Sequence, residues 1–97
     1  MNHTQISDVT GENFPAFEAA MRSLASDLND PYVISKQELK SVLFGENPAG
    51  FGAVLMDEDG ALLGAALYSP VISTSKGGAG VYVSDLWVSK QTRGSGL

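Results

Sequence analysis

Residues 51–70 read FGAVLMDEDGALLGAALYSP, two apolar runs held apart by Asp57, Glu58, Asp59 and Gly60. Short apolar runs bounded by such residues are the pattern of paired strands, and the Asp and Gly residues suit a tight hairpin turn. Pro70 is expected to end the second strand, because proline cannot donate to a ladder. STSKGGAG (73–80) then reads as a flexible connection. VYVSDLWV (81–88) reads as a further strand that runs into the loop SKQTRGSGL (89–97). The second half of the chain is thus three strands, mostly linked as hairpins.

The first half carries a different period. After a short strand, QISDV, with Ile6 and Val9 as its apolar contacts, Phe14, Phe17, Met21, Leu24 and Leu28 recur at spacings of three and four, which is one face of a helix. Asn13 is placed to cap that helix, leaving Pro15 in the first turn where a missing N–H does no harm. Pro31 disfavours helical geometry at Asp30, so the helix should end near LNDP. A second start signal follows: Ser35 and Glu38 form the S-x-x-E capping box, flanked by Ile34 and Leu39 as a hydrophobic staple. Leu39, Val42 and Leu43 give this short helix its apolar face, and Gly45 stands where a left-handed residue commonly ends a helix. The order is β-α-α-β-β-β, an α+β (α/β) domain with a mostly antiparallel four-stranded sheet and two helices. No repeat or boundary divides residues 1–97, which read as a single domain.

Composition removes several classes of function. The chain has 97 residues, enough for one modest core, and a formal net charge of −5 with no cluster of Lys or Arg. The basic footprint of a nucleic-acid or anionic-membrane binder is therefore missing. It has no cysteine, which excludes disulfides, thiolate metal sites and a cysteine nucleophile together. The single histidine, His3, sits near the N-terminus, where it reads as a solvated residue, and no metal site is expected. Neither a secretory leader nor an apolar run of membrane-spanning length is evident, so a cytoplasmic location is the expectation.

The loop after the last strand narrows the reading. A dinucleotide fingerprint wants its first glycine almost directly after a strand that opens a βαβ unit, whereas here Ser89 to Arg93 intervene. A P-loop needs Gly-Lys-Ser/Thr, which is absent. Leu86, Trp87 and Val88, followed by Gln91, Gly94 and Gly96, instead resemble the central motif of the GNAT superfamily, the acyl-CoA-dependent N-acetyltransferases. That motif is a fourth strand ending in L-x-V and then Gln/Arg-x-x-Gly-x-Gly/Ala. The element order is also similar to the N-terminal half of that fold. The resemblance implies that the chain is the N-terminal part of an incomplete GNAT domain, inactive alone, in a parent protein that moves an acetyl group from acetyl-CoA to an amine of a small molecule or peptide.

The resemblance also implies roles. Backbone amides of Arg93, Gly94, Ser95, Gly96 and Leu97 would cradle the coenzyme A pyrophosphate, with glycine removing the Cβ atoms that would hold a phosphate away. Backbone groups of Leu86, Trp87 and Val88 would bind the pantetheine arm and polarise the acyl carbonyl, since an N–H fixed on a developing oxyanion is worth ~3–4 kcal/mol. Asp85 is the candidate base, with Tyr82 and Ser84 beside it; relatives of the polyamine type often carry a glutamate where this chain has Ser84. Tyr32 and Tyr68 are candidate pocket-lining residues, while the acidic turn at 57–59 is expected to serve backbone geometry alone. The other reading is a non-catalytic half-fold module for binding or dimerisation. In either case the exposed last strand implies a homodimer through its edge.

Overall fold

The computed structural model describes residues 5–90, in which six elements follow the expected order. They are β1 (Gln5–Asp8), α1 (Phe14–Asp27), α2 (Lys36–Phe44), β2 (Phe51–Met56), β3 (Leu62–Ser73) and β4 (Gly78–Val88). The strands form one sheet in the order β1-β2-β3-β4, with every neighbouring pair antiparallel. His3, Gln91 and the loop residues Arg93, Gly94, Ser95, Gly96 and Leu97 lie outside the described residues.

Local signals set the helix ends. Ser35 and Glu38 close the capping box in full: the Glu38 N–H donates to Ser35 Oγ at 3.0 Å and the Ser35 N–H to Glu38 Oε1 at 3.0 Å. The Ser35 N–H first, and then the Ser35 hydroxyl, hold the Glu38 carboxyl below its ordinary range. At the end of α1, Asn29 takes a left-handed φ of 57°, the Asn29 N–H donates to the Ser26 carbonyl and the Asp30 N–H to that of Ala25. This is the Schellman arrangement, and it stops the helix at Asp27, ahead of Pro31.

Other ends depart from expectation. Asn13 stands at the start of α1 but does not cap it; its Oδ1 accepts from the Thr10 N–H at 2.7 Å and its Nδ2 donates to the Asp8 carbonyl at 3.1 Å. Its side chain folds the β1–α1 loop instead. Gly45 ends α2 with φ −70°, not in the left-handed region; a Cβ there would collide with the Ser41 carbonyl, so close approach is what requires glycine. Pro70 does not end β3, which runs on to Ser73 with Pro70 opposite Val81. β2 has already ended at Phe51, opposite Tyr68, so beyond that point β3 has a neighbour on one side only and tolerates a residue without an N–H. The expected flexible connection is a turn at 74–77, closed by the Gly77 N–H on the Ser73 carbonyl, and β4 begins at Gly78.

Directly opposed residues of antiparallel strands share a face. Val9, Gly52, Val54, Ala65 and Leu67 lie on one face, and both helices pack there. Phe14, Phe17, Ala20 and Met21 of α1 join Leu39 and Leu43 of α2 to make the core with Val9, Val54 and Ala65. Val42 is half-buried at its rim. The other face of the sheet is not covered by any described element. Ile6, expected to be a core contact, stands there 76% exposed opposite Leu55, with Phe51 and Leu86 also exposed on that face. Leu28 falls past the end of α1 and is exposed, so the apolar stripe stops at Leu24.

At Gly52 the sheet and α1 approach closely. A Cβ built on it would lie 2.6 Å from Val9 Cγ2 and 3.1 Å from Phe17 Cε1. Phe17 is wholly buried and cannot yield without moving α1. Gly52→Ala is therefore expected to destabilise the protein by about 1–3 kcal/mol, read as a lower urea midpoint, while Gly11→Ala, at a position open to solvent, leaves it within about 0.5 kcal/mol of the parent.

Candidate active site

β4 pairs regularly with β3 on either side of one irregularity. Leu67 opposes Asp85 and Tyr68 opposes Val83, so Ser84 is an extra residue, a bulge. The Ser84 hydroxyl donates to the Leu67 carbonyl at 3.2 Å, fastening the bulge to β3. One extra residue reverses the side-chain alternation. Tyr82, opposite Ser69, and Asp85, opposite Leu67, share the helix-packed face, whereas a regular strand would have turned Asp85 away.

Asp85 thereby enters a groove of about 260 Å³ between the end of α1, the α1–α2 connection and the sheet. Met21, Leu24 and Leu28 form one wall, Tyr32 and Ile34 another, and Leu39 and Leu67 the base. Asp30 and Asp85 are the charged residues lining it, and among the described residues it has no cationic lining side chain. Asp85 is half-buried and Asp30 exposed, so one carboxylate sits in the groove and the other at its mouth.

The wall at Tyr32 is held from below. Glu18 is buried, on the core-facing stripe of α1 one turn after Phe14. Its Oε2 accepts from Arg22 Nε at 2.6 Å and from the Tyr32 hydroxyl at 3.1 Å. The Arg22 guanidinium also stacks 4.7 Å from the centre of the Tyr32 ring. Burial first, then the hydrogen bond to Glu18 and its negative charge, push the Tyr32 hydroxyl up to about 12, with Arg22 opposing. The three side chains tie the α1–α2 connection to α1. Sequence reasoning did not single out Glu18 or Arg22, although both the i,i+4 pair and the position of Glu18 on the apolar stripe were there to be read.

The other sequence-derived residues divide between the two faces. Trp87 is half-buried on the helix side, beside Ser23, Ser26 and Lys90. Leu86 and Val88 lie on the opposite face, in an almost wholly apolar groove of about 250 Å³ with Ile6, Leu55 and Ala66. That groove offers packing surface and no side-chain chemistry. Of the two tyrosines, Tyr32 lines the Asp85 groove and Tyr68 does not; Tyr68 packs on Phe51 at 5.9 Å between ring centres. In the acidic turn, Asp57 Oδ1 accepts from the Asp59 and Ala61 N–H groups at 2.9 and 2.8 Å, so it builds the hairpin. No group of three or more His, Asp or Glu able to hold a metal ion occurs among the described residues.

The four-stranded sheet with its two helices has clear counterparts among solved structures. A possible acetyltransferase from Clostridium difficile 630 aligns with a TM-score of 0.74 at 16% identity, over 96% of this chain and 62% of its own. An aminoglycoside acetyltransferase from an uncultured soil metagenomic sample, in complex with sisomicin, aligns with a TM-score of 0.71 at 15% identity, over 96% of this chain and 60% of its own. A GCN5-related N-acetyltransferase from Kribbella flavida aligns with a TM-score of 0.61 at 23% identity, over 96% and 56%. No protein-family model matches the chain, and a search of curated proteins finds no match. The fold is that of the GNAT acetyltransferases, and the chain spans about three fifths of the length of the structures it resembles.

The Tyr32 network carries a pH signature. A hydroxyl raised from 10.0 to about 12 by folding contributes stability that is fully present below pH 10 and lost as pH rises towards 12. Tyr32→Phe should lower stability at neutral pH by about 1 kcal/mol, the modest end for a hydrogen bond to a charged group at a half-exposed site. It should also remove the latest-ionising phase from an ultraviolet titration of tyrosinate. A variant that keeps that phase would show that Tyr32 is not its source.

Proposed function

We propose that the chain is the acceptor-binding and strand-to-loop portion of an acyl-CoA-dependent N-acetyltransferase, which moves an acetyl group from acetyl-CoA to an amine of a small molecule or peptide. The observation that carries this reading is the Ser84 bulge. It aims Asp85 into a groove whose charged lining residues, among those described, are both acidic, while β4 leads in sequence to the glycine loop. An amine approaches as an ammonium ion at neutral pH, so its attack on a thioester needs a group to take a proton. We assign that role to Asp85, which lines the groove, acting directly or through water.

The remaining parts follow from the strand and the loop. β4 has β3 on one side and no described strand on the other, a geometry that suits a pantetheine arm laid along Leu86, Trp87 and Val88. The amides of Arg93, Gly94, Ser95, Gly96 and Leu97 would hold the pyrophosphate, since consecutive N–H groups with little side-chain bulk present partial positive charge to phosphate oxygens. We assign the reaction to the cytoplasm; none of the described helices is long and apolar enough to cross a membrane. Calorimetric titration with acetyl-CoA should give saturable binding with a Kd on the order of micromolar, and Gly94→Val should weaken it at least about tenfold by adding bulk where a phosphate must approach. Absence of any binding heat by the parent protein would end this reading.

A second reading has its own support. Val81, Val83 and Leu86 are exposed on one face of β4, an eleven-residue strand at the edge of the sheet. Such a surface suits a non-catalytic module that pairs with a second copy of itself. A homodimer is the expected state under both readings, and light scattering behind size-exclusion chromatography should report twice the chain mass. Val83→Lys, which puts a charge on that strand, should return it to one. A monomer at all concentrations would remove the edge as an interface.

A further inference from the structure

The groove that receives Asp85 is unusually one-sided in its chemistry, and this narrows what it can hold. Resting on the acyl-transfer reading, we propose that its ligand is a small monoamine with an apolar body, an arylalkyl or branched-alkyl amine, and not a polycation. Three observations point there.

The walls are hydrocarbon. Met21, Leu24 and Leu28 face Ile34, Leu39 and Leu67, so a ligand carbon skeleton replaces water on both sides and gains from burial. Among the described residues charge enters at two points, Asp30 at the mouth and Asp85 within, with no cationic side chain in the lining to answer either. Asp85, half-buried, is the carboxylate that an ammonium carried into the groove would pair with, while Asp30 is exposed at the mouth and stays in water. Each further ammonium along a polycation would lie against apolar wall without a carboxylate, and an unpaired charge out of water is costly.

Tyr32 does not change this balance. Its hydroxyl is engaged by Glu18 at 3.1 Å and its ring is stacked by Arg22 at 4.7 Å, so it contributes wall and little polar recognition. Size agrees: about 260 Å³ lies just under the roughly 300–1,000 Å³ of pockets that take drug-sized ligands. An acceptor of a few carbons beyond one ring fits that space better than an oligosaccharide.

Three probes decide the matter when titrated into the isotopically labelled protein without acetyl-CoA: 2-phenylethylamine, 2-phenylethanol and spermine. The amine should shift the backbone amides of residues 28–34 and Asp85 saturably. The alcohol, which keeps the ring and loses the charge, should bind the same place at least about tenfold more weakly, and spermine should not saturate these amides. Asp30→Asn and Asp85→Asn should each weaken the amine and leave the alcohol unchanged. Asp30 is exposed in a loop, so that variant keeps the test available if Asp85→Asn does not fold.

Spermine saturating these amides ahead of 2-phenylethylamine, the alcohol matching the amine, or no probe shifting them would each overturn the proposal. The outcomes separate from those of the acyl-transfer reading. If the amine binds here and acetyl-CoA does not bind, acyl transfer falls and the ligand class stands. If spermine is acetylated and 2-phenylethylamine is not, acyl transfer stands and the ligand class falls.

Discussion

The orientation of β4 beyond Val83 depends on one extra residue. Ser84 opposes nothing on β3, and its hydroxyl bond to the Leu67 carbonyl keeps the strand joined across the gap. The consequence is a reversal of faces: Asp85 and Trp87 turn to the helices, Leu86 and Val88 turn away. A regular strand would have sent a carboxylate to the uncovered face and a leucine into the groove. Bulges beside functional sites commonly re-aim a side chain in this way, and here the re-aimed residue is, among the described residues, the carboxylate inside the groove.

The helix layer gives that carboxylate its surroundings. Phe17 rests against Gly52 so closely that no side chain fits between them, which fixes the height of α1 above the sheet. Glu18, on the next position, then reaches Tyr32 in the following loop, with Arg22 neutralising it. A buried carboxylate removed from its partners is costly, so the connection is held where it forms the groove's second wall. Packing on one residue and a hydrogen-bonded ion pair on its neighbour thus serve one end, a defined gap between α1 and β4.

What could be read from the sequence was what neighbouring residues decide among themselves. The Ser35–Glu38 box, the Asp57 turn and the period of Phe14, Phe17 and Met21 all act within one turn of chain, and each stands as expected. Asn13 was misread because its side chain had two local uses, and the one that folds the loop onto Asp8 won. Pro70 was read as a terminator because proline breaks a ladder, yet that holds only where a strand has neighbours on both sides, and β2 ends too early for that. The Ser84 bulge left no trace in the apolar pattern, since Val83, Leu86 and Val88 look like an ordinary run until pairing with β3 is known. Asp85 was singled out from the motif resemblance; its direction came only from the fold.

The sheet's connectivity has a kinetic consequence. β2, β3 and β4 follow one another in sequence and in space, joined by short turns, so their pairing needs only small loops to close. β1 pairs with β2 only after both helices have been threaded between them, and it is four residues long with a single neighbour. Closing that larger loop costs more entropy for fewer bonds. β1 should therefore dock last as the chain folds and exchange its amide protons first in the native state, making the edge farthest from Asp85 the place where the sheet opens.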